Sequence, residues 1–107
     1  PQVMRALYYI RQYACQGIKT EQVAQTVGLS RSSLEMYFRR ELKHSVHDEI
    51  LRRKMDRSFE LLAATDLGIA EVAKASGFRS VQYLNAVFKR ELGATPAAWR
   101  EQRRAAA

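Results

Sequence analysis

The sequence predicts an all-α protein of about seven helices that form two helix-turn-helix subdomains joined by a long linker helix. Three observations lead to this prediction. Apolar residues recur at intervals of three and four along the 107 residues, which is the period of an amphipathic helix rather than of a strand. Several of the five glycines stand where an apolar stripe stops, as they do at helix ends. A short helix, a glycine turn and a longer helix also follow one another twice.

Residues 1–44 are predicted to form the first helix-turn-helix subdomain. Gly17 ends its first helix as a left-handed cap. Thr20 is the predicted N-cap of a second, short helix that ends at Gly28, and Ser30 is the predicted N-cap of a third. The residues expected to face inward from these three helices are Val3, Leu7, Ile10, Ala14, Val23, Ala24, Val27, Leu34, Phe38 and Leu42.

A linker helix is predicted over residues 45–64, with Ser45 as its N-cap. Its inward residues are expected to be Ile50, Met55, Phe59 and Leu62. The basic residues of this helix are expected to pair with its acidic residues. The basic residues are Arg52, Arg53, Lys54 and Arg57, and the acidic residues are Glu49, Asp56 and Glu60. Roughly 19 residues at about 1.5 Å each give this helix a length of about 28 Å.

Residues 65–104 repeat the first subdomain. Val23, Ala24 and Gly28 recur 49 residues later as Val72, Ala73 and Gly77. Leu34, Phe38 and Leu42 recur 50 residues later as Leu84, Phe88 and Leu92, because the second turn contains one extra residue. Ser80 is the predicted N-cap of the longer helix, from which Leu84, Phe88 and Leu92 are expected to face inward. Thr95 and Pro96 begin a last helix that is expected to bury Trp99.

The charge of the chain favours a polyanionic partner. Lysine and arginine number 18 against 11 acidic residues, which gives a formal net charge of +7. Double-stranded DNA is the expected partner, and an anionic membrane is the alternative. No apolar run approaches the roughly 18 residues needed to cross a bilayer and no signal-peptide pattern is present, so we expect no membrane partner and a cytoplasmic, nucleoid-associated protein. Cys15 is the only cysteine, which excludes an internal disulfide.

In a helix-turn-helix the second helix enters the major groove and presents its early residues to the bases. The linker length of about 28 Å is close to one turn of B-DNA at about 34 Å, so the two units are expected to occupy successive major grooves. The residues predicted to read bases are Arg31, Ser32, Glu35, Met36, Gln82, Asn85 and Ala86. The residues predicted to bind phosphates are Ser30, Arg39, Arg40, Arg79, Ser80, Lys89 and Arg90. Arg31 has two alternative contacts, a bidentate bond to guanine or a phosphate. Glu35 suits cytosine and Met36 a thymine methyl, whereas Gln82 and Asn85 suit adenine.

An ordered set of motifs extends across the chain. It comprises Val23-Ala24, Gly28-Leu29-Ser30, Leu34 to Phe38, Arg53-Lys54-Met55 to Leu61-Leu62, Ile69 to Ala73, Gly77-Phe78, Phe88-Lys89-Arg90, Gly93, Thr95-Pro96 and Trp99-Arg100. On this set the chain resembles the AraC/XylS family of transcription regulators from about Val3 to Arg100. The resemblance implies that both recognition helices contact DNA and that RNA polymerase is a partner. The sequence departs from the family at Ser58, where alanine is usual, and at Ala86, where the loss of a common arginine weakens base reading by the second helix.

A further set of residues is similar to the xylose-responsive members of that family. It comprises Tyr9-Ile10-Arg11-Gln12, Ala14-Cys15, Gly17-Ile18-Lys19, Gln82-Tyr83 and Val87-Phe88-Lys89. The likeness implies control of pentose-use genes and an N-terminal sugar-binding region resembling periplasmic binding proteins. Because the sequence begins at Pro1 and its first helix follows at once, we expect a fragment that lacks this sensor domain. None of the 107 residues is expected to bind sugar or a cofactor.

Other functions and roles compete for some of these residues. A helical protein-interaction module is the main rival to DNA binding, since helical repeats also bind partners in grooves. An enzyme is not expected, because no phosphate-cradling glycine loop or nucleophile elbow is evident. His44 and His47 lie close together, but no further metal ligands follow at a recognised spacing. Tyr37 is expected to pack inward, and Tyr83 suits packing and a phosphate contact equally.

Overall fold

The computed structural model describes residues 1–106, which form seven α-helices and one short 3₁₀ helix. The helices are α1 (Gln2–Tyr13), the 3₁₀ helix (Ala14–Gln16), α2 (Thr20–Thr26), α3 (Arg31–Leu42), α4 (Val46–Ala64), α5 (Ile69–Ala75), α6 (Val81–Leu92) and α7 (Pro96–Ala106). No strand occurs within residues 1–106, and no helix there is long and apolar enough to span a membrane. The prediction of an all-α chain with seven helices is confirmed.

The chain divides into two compact units, Pro1–Lys54 and Met55 onward. The division falls inside α4, so each unit includes about half of that helix. Val46 and Ile50 belong to the apolar core of the first unit, whereas Met55, Ser58, Leu61 and Leu62 are the buried residues of the later half of α4. The division into residues 1–44, 45–64 and 65–104 stays a prediction.

The core of the first unit is built from α1, α2, α3 and the start of α4. Leu34 and Phe38 of α3 are fully buried, as their helical spacing predicts. They belong to one cluster with Val3, Ala6, Ile10, Ala14, Val23, Ala24, Val27, Val46 and Ile50. The opposite face of α1 is open, with Met4 67% and Tyr8 66% exposed. The first unit therefore presents an apolar outer surface on its first helix.

Four helices begin at a hydroxyl N-cap, as predicted. In each, the hydroxyl oxygen accepts a hydrogen bond from the backbone N–H three residues later, which satisfies one of the unpaired donors of the first turn. The four pairs are Ser30 with Ser33 (3.1 Å), Ser45 with Asp48 (3.0 Å), Ser80 with Tyr83 (3.0 Å) and Thr95 with Ala98 (3.1 Å).

The predicted N-cap at Thr20 is wrong. Thr20 is the first residue of α2 and is buried, and the N-cap is Lys19, whose backbone is extended. The backbone N–H of Lys19 donates to Gln22 Oε1 at 2.6 Å. The first turn is therefore closed by a glutamine side chain that reaches back, which is the second half of a capping box, and not by a threonine hydroxyl.

Glycine turns separate the short and the long helix in each unit. Gly28 has φ 73° and Gly77 has φ 82°, in the left-handed region that glycine adopts without steric strain. Leu29 and Phe78 follow these glycines and pack inward. Arg79 is the extra residue of the second turn and is exposed. The repeat and its single insertion are thus present in the fold.

Two inward predictions in the second unit need correction. Leu92, the last residue of α6, is 45% exposed, and Gly93 directly after it has a left-handed backbone (φ 71°). Trp99 is half-buried rather than buried. Its ring packs on Phe59 with 5.0 Å between centroids, and the Arg103 guanidinium lies 5.3 Å from its centroid. A cation thus covers part of a ring that was expected to face only the core.

Arg100 of α7 binds the end of α4 and the loop that follows. Its guanidinium donates to the carbonyl oxygens of Leu62 (3.1 Å), Thr65 (3.3 Å) and Leu67 (2.7 Å). Carbonyls at a helix C-terminus lack partners within the helix, so the arginine satisfies groups that the fold leaves open. From the sequence, Arg100 was identified only as part of a family motif and its hydrogen bonds were not predicted. Hydrogen bonds between residues 33 to 38 positions apart leave no local sequence pattern.

Candidate nucleic-acid interface

The outer face of α3 carries the residues predicted to bind DNA in the first unit. Leu34 and Phe38 take the buried face, so the other side chains lie at or near the surface. Those exposed are Arg31, Ser32, Met36, Arg39 and Arg40, with the N-cap Ser30 before them, and Glu35 is half-buried. The structure therefore places the predicted set on one element. Contact of these residues with DNA stays a prediction.

Arg31, the first residue of α3, is paired with an acid of α2. Its Nη1 donates to Glu21 Oε1 at 2.6 Å. Both side chains are more than half exposed, at 62% for Arg31 and 53% for Glu21. Sequence reasoning missed this pair because a glycine turn lies between its members.

Glu35 has an acceptor role within the protein. Its Oε1 accepts a hydrogen bond from the backbone N–H of Val46, the first residue of α4, at 2.9 Å. A helix N-terminus carries unpaired donors and a partial positive charge, so a carboxylate stabilises it. One carboxylate oxygen is therefore engaged in joining α3 to α4. Contact of Glu35 with cytosine stays a prediction, and the other carboxylate oxygen would have to make it.

His44 connects the loop after α3 to α4. Its Nδ1 lies 2.9 Å from Leu42 O and its Nε2 lies 2.8 Å from Glu49 Oε1. Arg53 Nε donates to the other oxygen of Glu49 at 3.2 Å, so the predicted pairing of these two residues is confirmed. Glu49 is only 3% exposed, and a buried carboxylate needs such partners. Within residues 1–106 no group of three or more potential metal ligands comes together.

α6 is the counterpart of α3 in the second unit. Leu84 and Phe88 are fully buried, and the predicted DNA residues lie on the rest of the helix. Gln82, Ala86, Lys89 and Arg90 are exposed and Asn85 is half-buried, while Arg79 (exposed) and Ser80 (half-buried) precede the helix. Early in α6 the outward side chains are amides and an alanine, whereas early in α3 they include the guanidinium of Arg31, which is paired with Glu21 of α2. The two helices thus present different chemistry on the same scaffold.

Two tyrosines support arginines that were predicted to bind phosphate. The Arg79 guanidinium lies 4.3 Å from the ring centroid of Tyr83, and that of Arg40 lies 5.2 Å from the centroid of Tyr37. Both distances are within the range of cation–π attraction. Tyr83 also lies 5.8 Å from Phe78, so its ring is used in packing. A phosphate contact by the Tyr83 hydroxyl stays a prediction.

Proteins of similar sequence include regulators of sugar operons. A helix-turn-helix domain family matches residues 23–102. The chain is 41% identical to the xylose operon regulatory protein of Escherichia coli strain K12 over 101 residues, which cover 94% of this chain and 26% of that protein. The chain therefore spans about a quarter of the length of this relative.

Solved structures show the same fold. The structure of the xylose-binding transcription activator xylR matches with a TM-score of 0.83 and 40% identity, over 94% of this chain and 27% of that one. The DNA-binding domain of AdpA, a global transcriptional factor crystallised with a target DNA, matches with a TM-score of 0.91 and 26% identity, over 96% of this chain and 93% of that one.

Proposed function

The chain belongs to the AraC family of helix-turn-helix transcription regulators, and from this membership we propose that its two units read double-stranded DNA in a sequence-specific manner. α3 and α6 are the recognition helices, and each enters a major groove. The observation that carries the proposal is that α3 and α6 share the same structural features. Both helices are 12 residues long, start at a serine N-cap and bury a Leu–Phe stripe opposite a polar face.

The outward side chains divide between bases and phosphates by their chemistry and position. The base-reading set lies early in the two helices and comprises Arg31, Ser32, Glu35, Met36, Gln82, Asn85 and Ala86. The phosphate-binding set comprises Ser30, Arg39, Arg40, Arg79, Ser80, Lys89 and Arg90. The exposed amide of Gln82 supports adenine reading, and the exposed guanidinium of Arg39 supports a phosphate contact. Phosphate contacts fix the register, and base contacts supply the discrimination.

We infer further that the two units occupy successive major-groove segments. The argument rests on α4, whose 19 residues at about 1.5 Å each span about 28 Å, against about 34 Å for one turn of B-DNA. Any shortfall is met by bending the duplex, which costs about 1–6 kcal/mol.

The parent regulator is proposed to act on a sugar-use operon. The E. coli relative is a regulator of the xylose operon, and the structurally similar xylR is a xylose-binding activator. Because such relatives are about four times as long, we infer a sugar-binding sensor domain in the parent protein, which works in the cytoplasm at the nucleoid.

The exposed Met4 and Tyr8 of α1 support a further protein contact, since exposed apolar patches mark interfaces. RNA polymerase is the partner expected of an activator.

Selection of duplexes from a random pool by this chain tests the DNA-reading proposal. We expect two blocks of preferred bases about 10 base pairs apart. The affinity for the selected duplex should fall about 10³- to 10⁵-fold between 50 and 200 mM salt if roughly 6–10 phosphates are contacted. A single short block would assign sequence reading to one unit only. Failure to enrich any duplex would favour the rival function, a helical protein-interaction module.

A further inference from the structure

We propose that Glu21 is a positioning residue that makes Arg31 a base reader rather than a phosphate clamp, an inference that rests on the proposed DNA-binding function. Arg31 stands at the start of α3, where a recognition helix presents side chains to base edges. By its chemistry alone it would serve guanine or phosphate equally well. The 2.6 Å contact between Arg31 Nη1 and Glu21 Oε1 favours one of these two uses.

The hydrogen-bonding capacity of the guanidinium allows the pair and a base contact together. Arginine has five N–H donors, and Glu21 accepts from a single nitrogen, Nη1. Donors on the other nitrogens remain for the O6 and N7 acceptors of guanine, which need two parallel bonds. The ion pair therefore leaves Arg31 with free hydrogen-bond donors for a base. It fixes one edge of the guanidinium and leaves another edge to the groove.

The carboxylate discriminates between the two targets by charge. A phosphate brought to Arg31 would come close to a second anion, Glu21, and like charges brought together reduce affinity. The acceptors of guanine belong to a neutral base, so the same carboxylate opposes them far less. Glu21 thus lowers the affinity of Arg31 for the backbone, which is common to all sequences, and preserves its affinity for one base.

Both partners are held by regular structure. Glu21 lies in the first turn of α2, where the helix dipole favours an acid, and Arg31 follows the Ser30 cap directly. The connection between the two helices is ordered by the left-handed Gly28 and by a 3.0 Å hydrogen bond from the N–H of Leu29 to the carbonyl oxygen of Ala24. The helix-turn-helix therefore sets the backbone positions from which the carboxylate and the guanidinium extend toward each other.

The second unit shows that the fold does not need this pair. The positions that correspond to Glu21 and Arg31 are occupied by Ala70 and Val81, which cannot form an ion pair. α5 and α6 nevertheless have the same lengths and the same glycine turn as α2 and α3, and both long helices begin at a serine N-cap. Exposed ion pairs also add little to stability. A role for the pair in recognition is therefore more consistent with its position than a role in folding.

The test compares binding by the wild-type chain, E21Q, E21D, R31A and the double variant E21Q/R31A. The probes are a duplex selected by the wild-type chain, its single base-pair substitutions and an unrelated duplex. In R31A the preference at one base pair should fall by roughly 5- to 150-fold. In E21Q, which keeps the shape and removes the charge, the same preference should fall by about 3-fold, which is less than the R31A effect. The affinity of E21Q for the unrelated duplex should rise and its salt slope should steepen by about one.

The controls separate positioning from a general charge effect. E21D keeps the carboxylate and should retain more of the preference than E21Q, and E21Q should cause no further loss of preference in the R31A background. A uniform change of affinity for all duplexes in E21Q, or a loss of its helical circular dichroism, would overturn the inference. If R31A still removes one preference in that outcome, base reading by Arg31 survives. If R31A removes none, the proposed role of Arg31 fails as well.

Discussion

Ser76 occupies in the second unit the position that Val27 occupies in the first, at the end of the short helix and inside the core. Val27 is 5% exposed and Ser76 is fully buried. Among residues 1–106, Ser76 Oγ has no hydrogen-bond partner, although its own backbone N–H is bonded to Val72 O at 2.9 Å. An unsatisfied hydroxyl in a core costs about 1–3 kcal/mol.

The Ser76→Ala substitution is therefore expected to stabilise the second unit. Removal of the unsatisfied oxygen should raise the free energy of unfolding by about 1 kcal/mol, measured by urea denaturation. Ser58 is the matched control, because it is equally buried but its Oγ donates to Met55 O at 2.7 Å. Ser58→Ala should show no comparable gain. A loss of stability in Ser76→Ala would mean that this hydroxyl is satisfied in solution.

The C-cap residues of α3 and α6 are Lys43 and Gly93, which share a left-handed backbone with φ 65° and 71°. A residue with a Cβ is strained by about 1–2 kcal/mol in that conformation. We expect Lys43→Gly to raise the free energy of unfolding by about 0.5–1 kcal/mol and Gly93→Ala to lower it by about 1 kcal/mol. Apart from Gly93 and its two chain neighbours, nothing lies within 4 Å of a Cβ built on Gly93, so the loss of stability in Gly93→Ala would report backbone strain and not a steric clash. Effects of the same sign in the two variants would refute this account.

The Arg100 contacts predict a larger effect. Arg100→Met should lower the free energy of unfolding by about 3 kcal/mol, since three carbonyl oxygens lose a charged donor. Arg100→Lys should recover only a part, because one ammonium cannot reproduce the spread donors of a guanidinium. Fluorescence of Trp99, the only tryptophan, measures the transition. Arg103→Met, which removes only the cation near that ring, should cost less than 1 kcal/mol.

The start of α4 predicts a dependence on acid pH. The backbone N–H of Ser45 donates to Asp48 Oδ2 at 3.3 Å and lowers the pKa of the Asp48 carboxyl below its usual 3.8, with further lowering by the Ser45 hydroxyl and by His47 and His44. A carboxyl with a lowered pKa in the folded state stabilises the fold above its unfolded pKa, and this contribution is lost as the pH falls through the lowered value.

Asp48→Asn removes that titration. The difference in free energy of unfolding between the wild-type chain and Asp48→Asn should therefore be largest above about pH 4 and should shrink as the pH falls below the usual carboxyl pKa. Urea denaturation at a series of pH values from 7 to about 2.5 measures it. A difference that stays constant across this range would show that Asp48 acts through its shape and not through its charge.

Local features of this fold could be predicted from sequence, and distant contacts could not. The caps at Ser30 and Ser80 depend on residues three positions apart, so the pattern alone identifies them. Thr20 was misassigned because Gln22 competes for the same helix start, and composition does not decide between them. The bond from Val46 to Glu35 and those made by Arg100 join different elements, so they require the packed structure.

Truncation of Gln82 and truncation of Arg39 are expected to change DNA binding in different ways, because Gln82 is proposed to contact a base and Arg39 a phosphate. Gln82→Ala should reduce discrimination at one or two base pairs by about 1–3 kcal/mol and leave the affinity for unrelated duplexes nearly unchanged. Arg39→Ala should weaken binding to all duplexes alike and reduce the salt slope by about one, since one phosphate contact is lost. Titration of both variants against the selected duplex and its single substitutions, at several salt concentrations, measures the two effects together. A uniform loss from Gln82→Ala would remove that residue from base reading and, given Ala86 beside it, would leave α6 with Asn85 as its remaining amide reader.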